Sequence, residues 1–134
     1  MVLGFDTSNY TTSVAFYDGI RGENRSRLLD VKQGELGLRQ SDAVFAHVKR
    51  LPELAHSLFD EIEPSAIGAI GVSTRPRAVE GSYMPCFLAG VSVAETMCTR
   101  VSKTDVVHSY AVAVSSDSAS SGRDLCLEEA IVGV

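Results

Sequence analysis

The sequence predicts a single α/β lobe in which three strands, a helix, a fourth strand and a second helix follow one another (β-β-β-α-β-α). Three short β-patterned segments lie within residues 1–31, two one-sided helical stripes occupy residues 41–59 and 86–100, and an apolar run at residues 66–73 separates the stripes. The chain has 134 residues, of which 45% are hydrophobic and 22% charged, as is typical of one globular domain.

The first three strands are predicted from apolar patterning and one turn signal. Residues 2–6 are short and apolar, as in a buried strand, and residues 11–17 alternate and are rich in β-forming side chains. Asp18-Gly19, which follows, is a strong hairpin signal. We expect the third strand within residues 23–31, where the apolar residues are Leu28, Leu29 and Val31.

The first helix is predicted over residues 41–59, with Ser41 as its N-cap, because apolar side chains recur there every three or four positions. Pro52 lies inside this stripe and should kink the helix or split it in two. The second helix is predicted over residues 86–100. It contains two small residues one turn apart, Gly90 and Ala94, which allow a backbone or another helix to approach closely.

The chain after residue 100 has a different character. Residues 105–114 are a strand candidate, whereas residues 115–121 hold five serines in seven positions and are expected to be flexible. We therefore divide the chain into a lobe at residues 1–100 and an atypical tail at residues 101–134.

Charge and composition exclude several classes of protein. The net charge of −5 provides no basic field that would hold nucleic acid by counterion release. No apolar run is long enough to span a bilayer, and the N-terminus lacks a basic segment and meets Asp6 at once, so neither a membrane partner nor a signal peptide is expected. We expect a cytoplasmic protein. Its cysteines lack disulfide or zinc-knuckle spacing and lie at Cys86, Cys98 and Cys126.

Polar side chains cluster in the turn between the first two predicted strands. Backbone amides and Ser or Thr hydroxyls in a tight turn can donate to phosphate oxygens, and a carboxylate at a strand end can hold a metal-bound water. The alternative is an ordinary β-turn followed by a hydroxyl-rich strand. The candidate phosphate- or nucleotide-binding residues are Asp6, Thr7, Ser8, Thr11 and Thr12. No catalytic residue is predicted.

The order of elements resembles one nucleotide-binding lobe of the actin, Hsp70 and sugar-kinase superfamily (ASKHA, ribonuclease H-like). Three blocks within residues 2–100 resemble more specifically the N-terminal lobe of the TsaD-like or glycoprotease (O-sialoglycoprotein endopeptidase-like) family. LGFDTSNYTTSVA at residues 3–15 resembles the family's opening, residues 37–54 resemble its S-R-x-H-x-x-x-L-P helix, and residues 70–94 resemble its A-V-T-x-G-P-G region. The segments NYTTS and TRPRAVEGSYMP are more similar to a bacterial TsaD-like paralogue than to TsaD.

This resemblance implies ATP in a cleft between two lobes, a metal held by histidines, and transfer of a threonylcarbamoyl group from its adenylate to an adenosine beside the tRNA anticodon. It also implies a TsaB- or TsaD-like partner, or a second copy, bound through the helices at residues 41–59 and 85–100. The tRNA would be reached only through an intact complex.

The sequence departs from the family at three points. The family's H-x-x-x-H metal pair is absent among His47, His56 and His108, so metal is not expected in this chain. The family's G-P-G is R-P-R at residues 75–77, and the second lobe is lacking. We therefore expect either a truncated or frame-shifted product or a natural stand-alone lobe. ATP would bind weakly, or only in an intact two-lobed protein, and the chain would not be catalytic alone.

Two function hypotheses follow from the resemblance. One is the N-terminal portion of a TsaD-like protein of tRNA threonylcarbamoyladenosine modification. The alternative is a TsaB-like non-catalytic binding or scaffold module that pairs with a TsaD-like partner. A metalloprotease, after the family's older name, is a weaker third hypothesis, because no H-E-x-x-H motif is present. His47 either matches a family histidine outside the metal pair or is a partly exposed helix residue.

Overall fold

The computed structural model describes residues 1–31, residues 37–98 and the backbone of residues 105–110. Its strands are β1 (Val2–Asp6), β2 (Thr11–Tyr17), β3 (Gly22–Leu28), β4 (Ala69–Arg75) and β5 (Asp105–Tyr110). Its helices are α1 (Gln40–Phe59) and α2 (Phe87–Cys98), with a 3₁₀ turn at Pro64–Ala66. The strands form one mixed sheet in the order β3-β2-β1-β4-β5, in which β1, β4 and β5 are parallel and β1, β2 and β3 form an antiparallel meander.

The turn between β2 and β3 forms because one carboxylate satisfies two backbone donors. Asp18 Oδ1 accepts hydrogen bonds from the amides of Ile20 (2.8 Å) and Arg21 (2.7 Å). These bonds lower the pKa of Asp18. Gly19 has a φ of 102°, a left-handed conformation that glycine adopts without a steric penalty. The Asp-Gly pair therefore sets the hairpin from which β3 takes its register.

The third strand begins and ends earlier than predicted. We expected it within residues 23–31 because of the apolar residues at its end, but β3 ends at Leu28. The hairpin register explains the difference, since it places Glu23, Arg25 and Arg27 on the face that carries the helices. Leu29 follows the strand and is buried in a small cluster with residues of both helices.

The hydrophobic core lies between one face of the sheet and the two helices. Helix α1 packs on β2 and β3, and α2 packs on β4 and β1. The alternating inward residues of the strands are Leu3, Phe5, Val14, Phe16, Ile70 and Val72, and the helices add Leu51, Leu58, Ala89 and Ala94. Burying one Leu- or Phe-sized side chain contributes about 1.5–3 kcal/mol. This packing fixes both helices against the sheet.

Helix α1 differs from the prediction at its start and in its middle. Arg39 is the N-cap residue and makes no side-chain capping bond, so the N-cap predicted at Ser41 is wrong, and Ser41 lies inside the helix. Pro52 does not split α1, which runs unbroken from residue 40 to residue 59. The exposed position of Pro52 explains this, because water can bond the carbonyl that proline leaves without a donor.

The remaining elements also shift relative to the prediction. The strand expected at residues 66–73 is β4, which starts at Ala69 after the 3₁₀ turn. Strand β5 lies in the predicted tail and pairs with β4, so that part of the tail extends the sheet. The predicted flexible segment at residues 115–121 lies outside the described residues. Among the described helices, none has the length and apolar character needed to cross a membrane.

Candidate functional site

The loop that follows β1 is attached to α2 by a buried threonine. Thr7 is fully buried, and its hydroxyl donates to the carbonyl of Cys86 (2.8 Å) and accepts from the amide of Gly90 (3.1 Å). A Cβ atom at position 90 would lie 3.1 Å from Thr7 Oγ1. Gly90 is therefore the point of close approach that the helix sequence predicted, and its neighbour is this loop.

The same loop is attached to α1 by a second buried network. Nε2 of His47 lies 2.9 Å from the carbonyl oxygen of Asn9, and Nδ1 lies 2.8 Å from the hydroxyl of Thr12. Because a carbonyl can only accept, Nε2 carries a proton, and in the neutral ring Nδ1 then accepts from the Thr12 hydroxyl. The ring is thus bonded at both nitrogens and buried together with Thr12.

Burial also lowers the pKa of His47 below its ordinary value of 6.5, although the Asn9 carbonyl and the Asp6 carboxylate act in the opposite direction. Removing an imidazolium from water disfavours the charged form. Near neutral pH the ring therefore acts as a fixed hydrogen-bond bridge between helix and loop rather than as a cation.

A carboxylate and two serines lie where the carboxyl ends of the parallel strands β1 and β4 meet. Asp6 is exposed, and its Oδ1 accepts from the amide of Ser8 (2.8 Å) and from the hydroxyl of Ser73 (2.7 Å). The sequence brings Asp6 and Ser8 together through the turn, and the sheet adds Ser73 from β4. Ligands commonly bind at this edge of an open α/β sheet.

The predicted site residues therefore share one region but lie in two environments. Thr7 and Thr12 are fully buried, and their hydroxyls bond to other parts of the protein. Asp6 is exposed, and Ser8 and Thr11 are partly buried. Phosphate binding at this turn stays a prediction, and in this arrangement Asp6, Ser8 and Thr11 are the side chains nearest to solvent.

The first turn of α2, a second place where an anion could meet backbone amides, already donates within the protein. Four successive amides bond to chain oxygens; they belong to Phe87, Leu88, Ala89 and Gly90. Helix N-termini bind anions when such donors point outward. These donors are not available to an anion, because the Gly90 amide donates to Thr7 of the loop and the other three donate to carbonyls of the turn before α2.

Sequence reasoning did not find three contributors to this region: Asn9, Ser73 and Cys86. Asn9 acts through its carbonyl and Ser73 comes from another strand, so no local pattern indicates either of them. Cys86 is buried, its Sγ lies 3.7 Å from the carbonyl of Ser8, and burial raises the pKa of its thiol. A raised pKa keeps the thiol protonated, which fits a packing residue.

Within the part of the chain that the structure describes, no three His, Cys, Asp or Glu side chains come together as a metal ion would require. His56, one of the residues considered for such a role, is exposed on α1. His47 is on the same helix, and both of its nitrogens are used internally.

Two solved structures share this fold. YeaZ from Pseudomonas aeruginosa matches with a TM-score of 0.61 and 20% sequence identity, covering 81% of this chain and 43% of YeaZ. An uncharacterized protein with similarity to peptidase YEAZ from Pseudomonas aeruginosa matches with a TM-score of 0.57 and 19% identity, covering 80% of this chain and 42% of that protein. No known protein-family model and no curated protein matches. The chain thus shares the α/β fold of these two proteins and spans less than half of their length.

Proposed function

We propose that this chain is a TsaB-like, non-catalytic module that pairs with a TsaD-like protein in tRNA threonylcarbamoyladenosine modification. YeaZ is TsaB, and the fold shared with YeaZ supports this proposal. The alternative, a portion of a TsaD-like transferase, has the same ASKHA-type lobe. The fold alone therefore does not separate the two functions, and the separation depends on the loop after β1.

The choice between the two functions rests on one observation: the polar groups of that loop bond to other parts of the protein. A phosphate-binding turn needs donors that point at the ligand. Here the hydroxyls of Thr7 and Thr12 bond to chain atoms, as do the amides of the first turn of α2. The loop holds two helices in place, which suits a module that presents a helical surface better than one that holds a nucleotide.

Exposed apolar side chains on the helices support a docking role. On α1, Phe45 is 67% exposed and Val48, one turn later, is 54% exposed; on α2, Leu88 is 50% exposed. Aromatic and aliphatic residues of this kind form the centre of many protein interfaces. We propose that these helix surfaces contact the TsaD-like partner.

Calorimetric titration against a TsaD-like protein encoded in the same genome tests the pairing. We expect binding, and we expect Phe45→Asp or Val48→Asp to weaken it at least about tenfold, because a carboxylate would be buried at the interface. Ile20→Asp is the matched control, since Ile20 is 97% exposed and lies in the β2–β3 turn. Absence of binding, or equal loss in all three variants, would contradict the proposed interface.

An activity assay separates the two function hypotheses. As a TsaB-like module, the purified full chain should bind ATP weakly and leave tRNA unmodified when supplied with the threonylcarbamoyl adenylate. The same assay with the TsaD-like partner added should give modified tRNA. Modification by this chain alone would overturn the non-catalytic function and favour the transferase.

A further inference from the structure

Strand β3 forms one edge of the described sheet, and half of its backbone groups point away from β2. The amide of Leu29 donates to the Tyr10 carbonyl, and the amide of Asp18 donates to the Arg21 carbonyl. Antiparallel ladders alternate, so the odd-numbered residues of β3 bond to β2. The N–H and C=O groups that point outward belong to Gly22, Asn24, Ser26 and Leu28.

One end of this edge is already occupied. The guanidinium of Arg50 donates to the Leu28 carbonyl and also pairs with Asp30. No other described strand lies beyond β3. The edge at Gly22, Asn24 and Ser26 lacks proline, and its unpaired N–H and C=O groups are a template for another strand.

We infer that two copies of this chain pair antiparallel through their β3 edges, about a twofold axis at Arg25, and join two five-stranded sheets into one. This inference concerns a surface other than the helix surface of the proposed function. In this register, Asn24 of one copy and Ser26 of the other exchange backbone hydrogen bonds, twice by symmetry. The twofold axis makes the interface isologous, so that it closes at two copies.

The charges of β3 are complementary in this register. Glu23 of each copy lies opposite Arg27 of the other, which gives two opposite-charge pairs on one face. Arg25 faces its own equivalent once, but Glu23 and Glu61 of the same chain already pair with it. An axis at Asn24 would also give two opposite-charge pairs, between Glu23 and Arg25, but it would place Arg21 opposite Arg27 twice, which is one like-charge pair more than the axis at Arg25 gives. The balance of charges therefore favours the axis at Arg25.

The apolar residue at the end of β3 fits the same register. Leu28 is 66% exposed and would lie opposite Gly22 of the second copy. A Cβ atom at position 22 would lie 3.3 Å from both the Phe16 carbonyl oxygen and Cδ2 of the Tyr17 ring, so only glycine fits here without crowding. Leu28 of one copy would pack across Gly22 of the other, where no side chain stands in its way, which removes two exposed leucines from water.

Sedimentation velocity of the full chain over a range of concentrations tests this pairing. We expect the mass to rise from one chain to two, and we expect Asn24→Pro to raise the dissociation constant at least about tenfold. Proline at this position removes an outward amide from each copy and leaves the bonds to β2 intact. Circular dichroism verifies that the variant is folded.

A charge exchange provides a second test that does not involve proline. Glu23→Arg should dissociate the dimer, and the double variant Glu23→Arg/Arg27→Glu should restore it. Glu80→Arg is the matched control, because Glu80 is exposed in the loop after β4. A monomer at every concentration, or a dimer that Asn24→Pro and Glu23→Arg both leave intact, would overturn the inference. Binding of the TsaD-like protein by Asn24→Pro would show that the helix surface is independent of this edge.

Discussion

Polar side chains attach helix α1 to the strands at its first half and near its end, and Arg50, between them, donates to the Leu28 carbonyl and pairs with Asp30. In the first half of the helix, His47 bridges Thr12 and Asn9 through two hydrogen bonds in the protein interior. In the second half, Glu53 pairs with Arg27 of β3 at 3.5 Å, and just after the helix end Glu61 pairs with Arg25 of β3. The first attachment is neutral and buried, whereas the second is charged and in contact with water.

The comparison indicates that solvent exposure, more than charge, determines how much a polar contact contributes to the free energy of unfolding. An exposed ion pair replaces contacts with water that were nearly as good, so it contributes about 0–1 kcal/mol. A buried hydrogen bond also contributes modestly, but removing one partner leaves the other without water or protein, which costs about 1–3 kcal/mol per group. We call His47 the neutral bridge, and Glu53 and Glu61 with their arginine partners the charged rim. Substitution in the bridge should therefore lower the free energy of unfolding far more than substitution in the rim.

The largest effect is expected for His47→Ala. This change removes a partner from both the Thr12 hydroxyl and the Asn9 carbonyl and leaves a cavity in the interior, so we expect a loss of about 2–4 kcal/mol in the free energy of unfolding. Urea denaturation followed by circular dichroism measures it. The loop after β1 should also exchange its amide hydrogens faster, because its attachment to α1 is lost.

His56→Ala is the matched control, because His56 is an exposed histidine on the same helix. It should change the free energy of unfolding by less than about 0.5 kcal/mol. If His47→Ala behaved like His56→Ala, the bridge would not stabilise the fold, and the comparison between the two attachments would not hold.

A second effect is expected on the pH dependence of stability. Burial lowers the pKa of His47 in the folded state below 6.5, so the unfolded chain takes up the proton first as the pH falls. Stability should therefore rise with pH from the folded-state pKa up to about 6.5 and become level above it. Denaturation curves in this window for the natural chain and for His47→Gln provide the test. An equally steep slope in both would mean that another group causes it.

Glu23 of β3, which pairs with the same Arg25 as Glu61 does, titrates in a different window. Arg25 lowers the pKa of Glu23, so this carboxylate supports the fold above its ordinary pKa of 4.5 and loses that contribution as the pH falls through the lowered value. The pH profile thus separates His47 from Glu23, because stability is lost below about 6.5 through the histidine and only at lower pH through the carboxylate.

Much of the fold could be predicted from local patterns. The buried strands β1 and β2 follow from apolar runs, and the Asp18-Gly19 signal matches the turn between β2 and β3. The end of β3 could not be predicted, because its charged inner residues are satisfied by glutamates about 30 residues away. The prediction that Pro52 could split the helix was wrong for a related reason, since the effect of a proline depends on whether it faces water.

The candidate site was less predictable than the fold. Its position in the turn after β1 follows from the cluster of hydroxyl residues, but their roles do not. Thr7 and Thr12 are bonded because Gly90 and His47 approach them from two helices that lie far away in the sequence. The spacing of residues along the chain does not predict these long-range contacts, although the glycine at position 90 indicated that another part of the chain approaches α2 closely there.

The smallest effect is expected for Glu53→Gln, which breaks the exposed pair with Arg27. The side chains of both residues are about 60% exposed, and the closest approach is 3.5 Å, so water replaces the lost contact. We expect the Tm to shift by less than about 3 °C, and the shift to vanish in high salt, which screens such pairs. Thermal unfolding at two salt concentrations measures both. A larger or salt-independent shift would show that the rim stabilises α1 as strongly as the buried bridge does, and exposure would then no longer explain the difference between the two attachments.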